Sequence, residues 1–259
     1  MTNILLESRQ GHIASLTINR PEKLNAMTKP LWQALGSAFE RLSTDDSVRC
    51  ILIRGAGEKS FSPGNDIGEF ETERSNKRQA IAYGEVMHRT IAAISNCPHP
   101  IVAQVHGICV GGGMEIASLA DIRICGESSR FGAPINRLGL VMAYSEMGPL
   151  TKLLGPSKAL EILLEGRIFD ADEALRIGLV SRVVKDSEVE KEAQETAQRV
   201  AAGAPLVARW HKKFARRLAD AAPISASERD ECFDCFDTED FRIGYKAFLA
   251  KLPPEFVGR

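Results

Sequence analysis

Nothing in this 259-residue chain approaches membrane-spanning length, because no apolar run comes near the roughly 20 residues that a bilayer helix needs. The opening Met1 to Glu7 has neither the basic start nor the long apolar stretch of a secretory signal, which predicts a cytoplasmic protein without membrane attachment. Charge of one sign is missing too. The 33 Lys and Arg balance 34 Asp and Glu to a net charge of −1, and no dense basic stripe is visible, which argues against a nucleic-acid or membrane-surface partner. Cys50, Cys97, Cys109, Cys125, Cys232 and Cys235 lie in or beside apolar runs rather than in a framework, as small buried hydrophobes in a reducing compartment do. The one C-x-x-C, Cys232 to Cys235, has no second pair, so no metal site is expected. Long linkers, low-complexity segments and fixed-period repeats are absent as well, while 44% apolar content is enough to bury a full core.

The most informative stretch is Val105 to Glu115. The apolar run Ile101 to Val105 reads as a short buried strand, Gly107 and the triplet Gly111-Gly112-Gly113 form a turn, and Met114 to Ala120 has helical composition. A strand that passes through glycines into a helix start presents unpaired N–H groups where a ligand atom can approach the backbone closely. Glu115 is the one ionisable side chain beside those donors. Taken alone, the segment is described equally well as a glycine-rich turn followed by a glutamate that favours the helix dipole.

Around this centre, residues 4–8 and 12–18 read as a hairpin, and Thr28 as the cap of a helix over Leu31, Leu35, Ala38, Phe39 and Leu42. Val48 to Arg54 is a strand that runs into a Gly- and Pro-rich loop over residues 55–66. A helix spans 77–95 and stops before Pro98 and Pro100, and Ile122 to Cys125 is another strand. From about Met147 helical patterns dominate, with Asp170 and Glu173 spaced as a capping box. The order predicts an α/β core over residues 1–190 and a helical region over 191–259.

Several motifs in sequence order, Asn19-Arg20-Pro21-Glu22-Lys23-Leu24-Asn25-Ala26-Met27, Phe61-Ser62-Pro63-Gly64-Asn65-Asp66-Ile67, His106-Gly107, Gly111 to Glu115 and Ala120-Asp121-Ile122-Arg123-Ile124, resemble the enoyl-CoA hydratase/isomerase (crotonase) superfamily. The similarity continues through Phe169 to Ala174, Gly178-Leu179-Val180 and Glu239 to Lys251. It implies a spiral of repeated ββα units, a C-terminal helical trimerisation region, and assembly as a homotrimer or a dimer of trimers. It also implies an acyl-CoA thioester substrate, with coenzyme A as part of that substrate and no tightly bound cofactor. The thioester oxygen would sit between the N–H groups of Asn65 and Gly112, lowering the cost of an enolate. Asp66, Ile67 and Gly68 would line the cofactor side, Lys23 and Ala26 the adenine end, and Lys251 would contact CoA or lie on the solvated surface.

The acid/base positions depart from that pattern. Hydratases of the family carry two glutamates; the first corresponds to Glu115, whereas the second, counted from Phe131-Gly132-Ala133-Pro134, falls on Ile135. A Pro-Gly-x-Gly-Gly run is replaced by Met142-Ala143-Tyr144-Ser145-Glu146, which makes Tyr144 and Glu146 the candidates for a second acid or base. His88, Asn136 and Arg137 are weaker candidates with ordinary structural roles open to them, His106 is read as structural, and His99 has no visible partner. Ile81, Tyr83, Val86, Met87, Ile135 and Tyr144 are the positions expected to shape the acyl pocket. Three functions follow from these residues: a hydratase or isomerase using Glu115; a divergent enzyme hydrolysing, decarboxylating or dehalogenating CoA esters; and a non-catalytic RNA- or protein-binding homologue.

Overall fold

The computed structural model describes residues 3–259. In chain order the elements are β1 (Leu5–Gln10), β2 (Ile13–Ile18), α1 (Lys29–Ser43), β3 (Cys50–Gly55), β4 (Ser60–Ser62), α2 (Phe70–Glu73) and α3 (Lys77–Asn96). Next come β5 (Ile101–Val105), β6 (Ile108–Val110), α4 (Gly112–Ser118), β7 (Ile122–Gly126), β8 (Arg130–Gly132), α5 (Tyr144–Leu154) and α6 (Pro156–Glu165). The chain ends with β9 (Phe169–Asp170), α7 (Ala171–Arg176), β10 (Arg182–Val184), α8 (Val189–Ala202), α9 (Pro205–Arg217), α10 (Ala226–Asp230) and α11 (Glu239–Ala250).

The strands form a six-stranded sheet in the order β1-β2-β3-β5-β7-β10 and a four-stranded sheet in the order β4-β6-β8-β9. Each of the pairs β3/β4, β5/β6 and β7/β8 gives one strand to each sheet before the chain turns into helix, so successive ββα units stack as a spiral with parallel pairing inside both sheets. Two regions therefore differ from their sequence reading. The 55–66 loop contains β4, and a second short strand, β6, separates the Ile101–Val105 strand from the glycine triplet. Propensity is a poor guide in both places, because three-residue strands are set by the neighbours they pair with.

The apolar runs of β3 and β5 are nearly continuous because both faces are covered. Alternate residues point opposite ways. Ile51, Ile53, Ile101, Ala103 and Val105 join the main core with α1 and α3, while Cys50, Leu52 and Val102 face Ala193, Ala197 and Ala201 of α8. Those alanines recur every four residues and form one small-residue stripe on which the helix lies against the sheet. Helix α8 lies almost wholly beyond residue 190 in sequence yet covers the core. Cys50, Cys97, Cys109 and Cys125 are buried, while Cys232 is exposed. Residues 225–236 are a short helix followed by a 3-10 segment rather than one helix. Asp170 accepts from Glu173 N at 2.9 Å, but the Glu173 side chain turns to Arg167 instead of closing the capping box. No helix among the described residues is long and apolar enough to cross a membrane.

Helix α9 is tied to the core by a buried amine. Lys212 Nζ donates at 2.6 Å to both Asp121 Oδ2 and the His99 carbonyl, and Asp121 also accepts from Ile101 N at 2.7 Å. One ion pair thus joins α9 to the starts of β5 and β7. Lys212→Met should cost about 2 kcal/mol in urea unfolding, below the full penalty for an orphaned buried charge because Asp121 is partly exposed. A loss under about 0.5 kcal/mol, within the range of ordinary surface changes, would mean that this tie contributes little.

Candidate active site

Two backbone segments meet at the centre of the spiral. Met27 N donates to Gly64 O and Asp66 N donates to Met27 O, both at 2.8 Å, so residues on either side of Asn65 are clamped to the segment after the first helical turn. That segment is itself held by Asn25, whose buried Nδ2 donates to Ser60 O at 2.7 Å and to Ala56 O at 3.0 Å. The Asn65 side chain is fixed as well. Its Oδ1 accepts from the buried Trp32 Nε1 at 2.7 Å. The Asn65 N–H is left without an acceptor among the described residues, and so is the N–H of Gly112 at the first position of α4.

The segments can approach this closely only because of glycine. Gly64 has φ +97°, and a Cβ there would lie 2.9 Å from Gly112 N. A Cβ on Gly113 would lie 2.1 Å from Ser62 O. The two unpaired N–H groups consequently open onto one cavity of about 100 Å³, whose lining includes Gly64, Asn65, Gly112, Glu115, Ile135 and Glu146.

Glu115 is 6% exposed, and its Oε2 has no hydrogen-bond partner. Burial, reinforced by the Glu146 carboxylate and only partly offset by Arg74, pushes its carboxyl up to about 8, so it is protonated at neutral pH. Glu146 enters from the first turn of α5. Its Oε2 accepts from Ala143 N at 3.2 Å, and its Oε1 lies 3.4 Å from His88 Nε2 on α3. The cavity therefore holds two carboxyl groups beside two free backbone donors, an arrangement able to stabilise an oxyanion and move protons next to it.

Of the residues singled out in the sequence, Asn65, Gly112, Glu115, Glu146, Ile67 and Ile135 line this cavity. Tyr144 does not; it is 98% exposed. At roughly 100° per residue, positions 144 and 146 of one helix face nearly opposite directions, and Glu146 takes the inner one. Asp66 and Gly68 are not among the residues that line the cavity. Burial pushes the Asp66 carboxyl up, but donation from Arg20 at 3.0 Å and from Gly68 N outweighs it and holds the group below its ordinary range. Lys23 is exposed at the end of a 3-10 turn, and the Ala26 carbonyl accepts from Arg20 at 2.6 Å. Neither lines the cavity. Lys251 is the left-handed cap of α11, also outside it. Tyr83 is buried and donates to Glu69 at 2.8 Å, whereas Ile81 faces solvent. Asn136 donates to Leu164 O at 2.9 Å, and His99 meets the Leu42 carbonyl at 2.9 Å, so both have structural partners. Arg74, Phe70, Leu140 and Val141 also line the cavity; sequence reasoning passed over them because they lie in irregular segments or, for Phe70, in a four-residue helix, too short for periodicity to mark a face.

With this geometry, residues 8–259 match the family model for enoyl-CoA hydratase/isomerase, and the chain belongs to that family. It is 33% identical over 253 residues to a short-chain-enoyl-CoA hydratase of Clostridium acetobutylicum, covering 97% of this chain and 96% of that protein. It is also 33% identical to a crotonyl-CoA hydratase of Syntrophomonas wolfei over 99% of this chain and 98% of that protein. A crystal structure of an enoyl-CoA hydratase/carnithine racemase from Magnetospirillum magneticum superposes with a TM-score of 0.97 at 47% identity, covering 100% of this chain and 97% of that one. The fold is thus the crotonase fold, and the protein is an enzyme of the hydratase/isomerase family acting on CoA thioesters.

The raised Glu115 carboxyl has a consequence for stability. Its ordinary value is 4.5 and its folded value about 8, so between those pH values the folded chain keeps a proton that the unfolded chain has released. Stability then falls as pH rises through that window, by at most about 1.4 kcal/mol per pH unit for this one group. Glu115→Gln removes this contribution. Urea unfolding from pH 5 to 9 should show the variant gaining on wild type by a few kcal/mol across the window. Parallel pH profiles would show that Glu115 is not held protonated.

Proposed function

We propose that the enzyme binds an enoyl-CoA with its thioester oxygen between the N–H groups of Asn65 and Gly112 and catalyses reversible hydration through a Glu115–Glu146 pair. The observation that carries this reading is the partnerless, buried Glu115 Oε2 facing the same small cavity as Glu146 and the two unpaired donors. The donors take up negative charge as an enolate forms. Water adds through its oxygen to the β-carbon, Glu146 accepts the water proton, and Glu115 delivers its proton to the α-carbon. This replaces the single-glutamate scheme that Ile135 suggests from sequence: Ile135 forms apolar wall, and the second carboxylate comes from α5. The CoA portion would run over Ile67, Gly68 and Asp66 toward Lys23 and Ala26, with Lys251 as a further contact, and no tightly bound cofactor takes part. Hydrolysis of CoA esters would need water placed at the thioester carbonyl rather than at the β-carbon, and no observation favours hydrolysis, decarboxylation, dehalogenation or a purely binding role.

Crotonyl-CoA hydration and α-proton exchange in D₂O test the scheme. Glu115→Gln should reduce both by about 10²–10⁴, and Glu146→Gln should reduce hydration by a similar factor, while thioester binding stays within a few fold because the oxyanion donors are backbone groups. Full activity in Glu115→Gln would remove that residue from the chemistry. Loss in Glu115→Gln with full hydration in Glu146→Gln would return the reaction to one glutamate. Absence of exchange and turnover in wild type would favour a binding role.

We also infer a homotrimer or dimer of trimers built through the helical region 191–259 in a cytoplasmic, reducing setting, which suits the buried unpaired thiols. Phe233, Phe236, Phe248, Leu249 and Leu252 are each more than half exposed, a denser apolar surface than a soluble monomer usually leaves in water. Phe248→Glu with Leu249→Glu should shift sedimentation toward smaller species. An unchanged sedimentation coefficient would place the interface elsewhere.

A further inference from the structure

Arg74 follows α2 in the irregular segment before α3 and lines the same cavity as Glu115 and Glu146. It makes no ion pair and donates no side-chain hydrogen bond among the described residues, and its Nη1 is buried without any acceptor. The residue is half-buried, and a guanidinium carries five N–H donors, so a buried Nη1 with no acceptor stands out. Its acidic neighbours do not serve it. Glu69 accepts from Tyr83 Oη at 2.8 Å and from Lys29 N at 2.9 Å, while Glu73 pairs with Lys29 Nζ at 2.8 Å. Arg74 is held instead by two aromatic rings, its Cζ lying 4.8 Å from the centroids of both Phe70 and Tyr83. Ring faces hold the guanidinium by cation–π attraction without using its N–H donors, and the buried Nη1 is left free. Around it the cavity wall is apolar: Ile67, Phe70, Leu138, Leu140 and Val141.

We propose that Arg74 is a specificity-determining residue that pairs with a carboxylate at the far end of the acyl chain, so that the preferred substrate is a short dicarboxylic enoyl-CoA monothioester. The inference rests on the hydratase reading for which end of the substrate meets Glu115, and it adds the chemistry of the other end. A planar guanidinium matches a carboxylate through two parallel N–H donations, an interaction that a neutral alkyl tail cannot make. A cavity of about 100 Å³ suits an acyl chain of only a few carbons, which keeps the thioester and the terminal carboxylate within one site. The substrate carboxylate would also bring negative charge close to Glu146. Among the described residues, Arg74 is the only cation lining the cavity that can balance it.

The test compares glutaconyl-CoA, whose acyl chain ends in a carboxylate, with 5-methylhex-2-enoyl-CoA, in which an isopropyl group replaces that carboxylate. Wild type should show at least about tenfold higher kcat/KM on the anionic thioester, as a charge-assisted bidentate contact would give. Because Arg74 also bears on the Glu115 carboxyl, Arg74→Met should lower kcat/KM on both thioesters, but about 100-fold on glutaconyl-CoA and at least about tenfold less than that on the neutral one, and Arg74→Lys should recover part of the difference. Equal losses on both thioesters, or a wild-type preference for the neutral one, would overturn the assignment. Calorimetric binding of saturated glutaryl-CoA and 5-methylhexanoyl-CoA separates this result from failure of the hydratase reading, because it needs no turnover. Tighter wild-type binding of glutaryl-CoA that disappears in Arg74→Met supports the proposal even if no hydration occurs, and equal affinities overturn it.

Discussion

The contact between Gly64 and Gly112 is the constraint on which the rest of the structure depends. Two turns of the spiral, one delivering β4 and the other β6 with α4, have to bring their backbones close enough that any side chain on Gly64 would strike Gly112 N. Parallel pairing of β4 with β6 sets the height of one turn above the other, and the clamp from Asn25 and Met27 sets the tilt of the upper loop. Trp32 then holds Asn65 from behind. With the Gly64 carbonyl and the Asp66 N–H on either side of Asn65 both bonded to Met27, the Asn65 N–H is left toward the cavity that Asn65 lines.

Electrostatics in that cavity follow from its closure. Glu115 is carried in on a helix whose seven residues are all buried, so its carboxyl loses water before it gains any partner. Glu146, nearer the rim, keeps a backbone donor and a histidine neighbour. The two acids are chemically alike but differ in environment, and that difference is what divides acid from base in paired-carboxylate chemistry. Arg74 supplies the opposite charge without neutralising either acid by direct contact.

Much of this was legible in the sequence, and the limits were physical. The buried parallel strands β3, β5 and β7 announce themselves as short apolar runs because both of their faces are covered. The glycine triplet marked the site because glycine is needed wherever backbones touch. By contrast, β4 and β6 are three residues each and exist through pairing, so no local pattern could reveal them. The Asn25 segment reads from sequence as a loop, yet its role is mechanical: its amide bridges Ser60 and Ala56, a tertiary relation across more than thirty residues. Arg74 was missed because a basic residue in a charged run, Glu69 to Arg78, looks like any solvated surface until the rings of Phe70 and Tyr83 are seen to enclose it.

The position of Glu146 shows how a spiral fold can bring a second carboxylate to a cavity from a different element than the turn after β8. Ile135 follows β8 in the 3-10 turn Pro134–Leu138 and reaches the cavity wall, but it is apolar and packs against the core. The next element to face the cavity is α5, whose first turn comes within reach because the segment from Gly139 to Ala143 makes no regular structure that would carry it elsewhere. On that turn only one face looks inward, and helical geometry gives it to Glu146 rather than Tyr144. His88 of α3 stands beside the same carboxylate, so the acid that enters from α5 is flanked by a helix from an earlier unit of the spiral. A carboxylate approaching from α5 meets the substrate from a different side than one on the 3-10 turn would. Under the hydration scheme proposed above, water would then be held by Glu146 on the α5 side of the two backbone donors, and Ile135 would form part of the apolar wall beside the acyl chain.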